Sequence, residues 1–198
     1  VDFYVGGTRA VLRTDDREAA EREARAYRGW DAKDVRVVDS AKPADSGGAA
    51  RFDTPHGVAT DRSGNVFVAD SLNFTIRKVS PDGVVTTFAG TWGAVGSTDG
   101  TGSAARFASP QGVAVDDNGF VYTAESSRWV RKWDCATLTN QWSVQLSNAS
   151  TMTGLGVDNS SYDVWVGDLS LAFPVLGNLI KLDSAGTFLS RTLFRAAG

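Results

Sequence analysis

The chain has 198 residues, 42% hydrophobic and 22% charged, with a formal net charge of −3. That is the balance of an ordinary globular protein, long enough for one or two domains. It offers no basic excess to hold nucleic acid and no apolar run near the ~20 residues of a membrane helix, and its one cysteine, Cys135, excludes an internal disulfide and leaves the redox compartment open.

Taken in order, Val1–Val5 reads as a strand, Gly6-Gly7 as a two-residue turn, and Thr8–Arg13 as the returning strand. No signal peptide is visible, and Val1 in place of Met fits either processing or a piece of a longer chain. Asp15 and Glu18 have capping-box-like spacing before a predicted helix, Asp16–Arg28, with Ala20, Ala24 and Tyr27 on one face. Gly29 ends it, and Val35–Val38 is a further strand. Arginines crowd this segment, but pairs such as Glu18–Arg22 and Glu21–Arg25 mark a solvated helix face, not a polyanion site. The expectation is a small ββαβ module and linker over residues 1–46, too small for a generous core of its own.

From Gly47 the sequence repeats itself. Ala49-Ala50-Arg51-Phe52 and Pro55-His56-Gly57-Val58-Ala59 return, 55 residues later, as Ala104-Ala105-Arg106-Phe107 and Pro110-Gln111-Gly112-Val113-Ala114. Each copy contains four short β-rich runs. In the first they are Gly57–Ala59, Val66–Asp70, Thr75–Val79 and Val84–Phe88. In the second they are Gly112–Asp116, Phe120–Glu125, Trp129–Asp134 and Gln141–Leu146. Gly, Asn, Asp and Pro punctuate them, so consecutive runs should pair antiparallel. A more diverged third copy runs from Gly154 to Leu193. Four antiparallel strands repeated in series describe blades of an all-β propeller, here 47–101, 102–147 and 148–198.

The motifs Pro-x-Gly-Val-Ala-x-Asp, Val-x-Val-Ala-Asp and Ile-Arg-Lys, with a Thr-x-Ala-Gly ending, resemble NHL repeats over residues 47–193. The third copy lacks the Pro before the Gly and the Arg of Ile-Arg-Lys. The resemblance implies a propeller, usually of six blades, and implies little about activity. Three blades leave open edges, an aggregation hazard. The expectation is therefore a homo-oligomer that completes the ring, or a segment of a longer chain or assembly.

The resemblance also bears on chemistry. Peptidylglycine amidating lyases, which look similar here, use a His before the Gly of this motif to help bind zinc. The matching positions are His56, Gln111 and Thr153, and zinc sites take three or four protein ligands, so one chain falls short. Gluconolactonase-like propellers bind calcium through channel carboxylates. Asp61, Asp70, Asp116, Asp158 and Asp168 recur at strand ends, but Asp there accepts hydrogen bonds from turn amides. The Gly-rich stretch Gly93–Ser103 lacks the Lys of a phosphate loop and reads as a connector between blades. Arg51 and Arg106 recur beside Phe52 and Phe107, which suggests buried Phe and locally paired Arg. Trp129 and Trp133, four apart in one strand, share a side and form either interblade packing or an aromatic platform.

These readings assign no catalytic residue and no cofactor. The expected function is a non-catalytic binding or assembly module that engages a protein or glycan partner through the channel mouth around His56, Gln111 and Thr153. The alternatives are a metal-dependent lyase or lactonase-like hydrolase with zinc or calcium in the channel, and a structural subunit of an extracellular or virion assembly.

Overall fold

The computed structural model describes residues 2–5, 8–11, 36–38, 50–147, 149, 151–170 and 176–194. The chain divides into two compact units, Val1–Arg51 and Phe52–Gly198. In the first, strands β1 (Asp2–Val5), β2 (Thr8–Val11) and β3 (Arg36–Val38) form an antiparallel sheet of order β2-β1-β3. The helix expected over Asp16–Arg28 lies outside the described residues.

The second unit consists of propeller blades, three antiparallel four-stranded sheets in sequence order. The first blade is β4 (Pro55–Thr60), β5 (Val66–Asp70), β6 (Thr75–Val79) and β7 (Val85–Gly90). The second is β8 (Pro110–Val115), β9 (Phe120–Glu125), β10 (Trp129–Asp134) and β11 (Asn140–Gln145). The third is β12 (Thr151–Val157), β13 (Val164–Ser170), β14 (Leu176–Leu182) and β15 (Phe188–Phe194). The innermost strands β4, β8 and β12 pack side by side.

Strand alternation sends successive side chains to opposite faces, and the second blade uses both. Val113, Val121 and Trp133 join Phe67, Ile76 and Phe88 in a core between the first and second blades. Ala114, Tyr122 and Val130 join Met152, Val164, Val166, Ile180 and Leu182 in a core between the second and third. Aromatic pairs lock the first of these: Phe67 meets Phe88 edge-on at 5.3 Å, and Phe107 meets Trp133 at 5.5 Å. Polar ties cross between blades as well. Arg62 Nε donates to Asp117 Oδ1 at 2.8 Å, the Ser71 hydroxyl donates to the Pro110 carbonyl, and Trp142 Nε1 donates to the Ser184 carbonyl at 3.1 Å.

Two sequence expectations need correction. Phe107 is fully buried as expected, but its counterpart Phe52 is exposed. Phe107 sits in the core between two blades, whereas the second unit has no blade before the first. Trp129 and Trp133 do share a side, on which Trp129 is half-buried and Trp133 fully buried. Trp133 has no exposed surface and its Nε1 donates to Thr123 Oγ1 at 3.2 Å, so it packs between the blades and offers no ring to a platform. Arg131 lies between Trp129 and Phe107, 5.7 and 5.3 Å from the two ring centroids.

Candidate functional site

His56, Gln111 and Thr153 occupy one register position on three neighbouring strands. In each blade the pairing between the first two strands slips by one residue at this point: between Pro55 and Val58, Pro110 and Gly112, and Met152 and Gly154. The slip is a β-bulge, which leaves a residue unpaired and re-aims its side chain. His56 and Thr153 are exposed and Gln111 is half-buried. Gln111 Nε2 donates to Ser109 Oγ at 3.0 Å and Ser126 Oγ at 3.1 Å, and Thr153 Oγ1 donates to the Gly167 carbonyl at 3.4 Å. The backbone is tight just before two of the bulges. Thr54 and Ser109 hold φ of 51° and 56°, a region that costs a β-branched residue such as Thr most.

A buried carboxylate stands behind each bulge. Asp70, Glu125 and Asp168 each pair, as the last partner before the slip, with Pro55, Pro110 and Met152. One oxygen of each takes the backbone N–H that leads into the blade: Asp53 to Asp70 at 2.7 Å, Ala108 to Glu125 at 2.8 Å, Thr151 to Asp168 at 3.0 Å. The other oxygen is held from the side. Asn73 Nδ2 donates to Asp70 at 2.8 Å. Arg131 Nε lies 3.0 Å from Glu125 Oε1. Asn178 Nδ2 and Arg191 Nη2 donate to Asp168 at 2.8 and 2.9 Å. Burial pushes the Glu125 carboxyl up to about 7, against the opposing pull of Arg131, and raises Asp70 despite its hydrogen bonds.

The remaining aspartates sit at the other end of the strands. Asp61 accepts the amides of Ser63 and Asn65, each at 2.9 Å, and Asp158 accepts that of Ser160 at 2.8 Å. Asp116 accepts the amides of Asn118 and Phe120, each at 2.9 Å, and the Tyr122 hydroxyl at 2.8 Å. These are turn-holding roles. Among the described residues no three His, Cys, Asp or Glu side chains gather where they could hold a metal ion.

Sequence reading marked Asp70 and Asp168 but missed Glu125 and its partner Arg131. The 55-residue offset equates Asp70 with Glu125 directly. Arg131 is harder to find: it faces Thr123 as Arg77 faces Val68, but a turn shorter by one residue breaks the offset. In the third blade Ile180 takes that place, and the cation comes from β15 as Arg191.

The NHL repeat family matches residues 52–79. This NHL segment runs from the exposed Phe52 through β6 and holds His56, Asp70 and Arg77. No curated protein matches the chain. In fold the chain is similar to a gluconolactonase from Xanthomonas campestris, at a TM-score of 0.51 and 17% sequence identity. The likeness covers 74% of this chain and 48% of that one, so the chain spans about half the length of that gluconolactonase. At this identity the likeness speaks for the fold alone. No helix among the described residues is long and apolar enough to cross a membrane.

Proposed function

We propose that the protein is a non-catalytic binding module whose channel mouth takes a polar, uncharged group, best matched by glycan hydroxyls. The supporting observation is the row of bulges. It presents an imidazole, a carboxamide and a hydroxyl at one register position, while the carboxylates behind them are occupied by Arg, Asn and backbone N–H groups. Such a set donates and accepts hydrogen bonds, as recognition of a sugar requires. It lacks the three or four ligands of a zinc site.

The test is a titration with neutral oligosaccharides, followed by NMR through the His56 ring protons and the Gln111 carboxamide. Both signals should shift together with one class of sugar, and His56→Ala should abolish binding without altering the fold. A protein partner in place of a glycan would shift the same signals only with a peptide.

The second reading is a lactonase-like hydrolase, which rests on the likeness of fold to a gluconolactonase. Hydrolysis of glucono-δ-lactone that depends on added zinc or calcium, and disappears in His56→Ala, would replace the binding reading with it.

A further inference from the structure

Inside this chain one blade meets the next in the same way twice. A Cβ added at Gly57 would lie 2.7 Å from the Gln111 carbonyl oxygen, 2.8 Å from Val113 N and 2.9 Å from Gly112 Cα. One added at Gly112 would lie 3.0 Å from Leu155 Cβ and 3.1 Å from both Gly154 C and Leu155 N. Each glycine is needed because the following inner strand approaches the backbone itself. Gly154 holds the same register position in the third blade, and a Cβ there would meet nothing within 4 Å. The glycine is present, and among the described residues no strand packs against it.

The other end of the array shows the complementary half. Val58 and Val113 are equivalent, facing Val68 and Thr123 across their blades. Val113 is covered by the first blade and is 4% exposed, whereas Val58 is 65% exposed. The face of the third blade turned away from the second carries Gly154, Gly156, Gly167, Leu169 and Phe194 by register, with Leu169 38% and Phe194 56% exposed. One end thus has the glycine channel for an incoming inner strand, and the other has an inner strand whose core residue is uncovered.

We infer that the free face of the third blade, along β12, docks the first blade of a second copy of this chain, Gly154 against the segment around His56 and Val58. The two halves do not meet within these three blades, which are too few to close a ring. A head-to-tail contact forms a closed ring when the rotation returns to its start. Two copies give six blades, inside the range of about four to eight at which propellers close. The chain carries both halves of the contact, the open glycine at Gly154 and the uncovered Val58. This inference does not depend on what the mouth binds.

The experiment is the solution mass of the full chain by light scattering over a wide concentration range. The expected result is a discrete species of twice the 21.0 kDa chain mass. Gly154→Val is accommodated in the single chain, where nothing crowds that position, yet it should return the mass to that of one chain. Val58→Asp, on an exposed side chain, should do the same from the other half of the contact. Circular dichroism of both variants should keep the wild-type β signature. A single-chain mass at every concentration would overturn the inference and leave the face to blades of another polypeptide. A polydisperse series would overturn the closed ring. A doubled mass unchanged in both variants would place the contact elsewhere.

Discussion

Glu125 and Arg131 meet at 3.0 Å with neither side chain reaching water. Removing both charges from solvent costs several kcal/mol per ion before their attraction returns any of it. The balance shows in the carboxyl, which burial pushes from 4.5 up to about 7. Between those values the folded chain holds a proton that the unfolded chain releases. The contribution to stability is therefore full below the unfolded value and is lost as pH rises through the folded one. Urea midpoints taken from about pH 4 to about pH 8 should fall more steeply for the wild type than for Glu125→Gln, which cannot release a proton. Parallel curves would mean that Arg131 keeps the carboxylate ionised throughout. The same buried group fixes the Ala108 amide, so it also holds the backbone that leads into the Gln111 bulge.

At the scale of strands, the division into blades was legible because turn chemistry is local. Asp61, Asp116 and Asp158 mark the first turn of each blade and cap its amides there. The bulges were not legible, because a bulge is a property of two paired strands and no residue in Pro-His-Gly or Pro-Gln-Gly encodes it alone. Trp133 stayed open between interblade packing and a platform for a related reason: alternation says which residues share a side, not whether a neighbouring blade covers that side. Close approach was half legible. Gly57 and Gly112 repeat visibly, but only the packed strands show that a Cβ would strike backbone atoms, which cannot rotate away. Gly57→Ala should therefore force β4 and β8 apart and cost about 1–3 kcal/mol, the usual range for overpacking. Chemical denaturation measures it; a loss below about 0.5 kcal/mol, typical of open surface positions, would show that the two strands part without resistance.

Over the Phe52–Gly198 unit the blades form a short linear array, and stability in such arrays sums each unit with its nearest-neighbour contacts. The second blade has two such contacts, built on Trp133 and Phe107 on one side and on Tyr122 and Met152 on the other. Among the described residues, the first and third blades have one each. Amide hydrogen exchange reports local opening, so in dilute solution β8 and β9 should be the slowest to exchange. Among inner strands, β4 should exchange much faster than β8, since Val58 is 65% exposed and Val113 is 4%. Raising the protein concentration supplies the missing neighbours by mass action if a second copy provides them. Protection of β4 and β12 should then rise together while β8, already flanked on both sides, stays unchanged. A rise in β4 alone would mean that one edge is covered by a contact that does not close a ring. Protection of β4 equal to that of β8 at every concentration would show its edge already covered within a single chain.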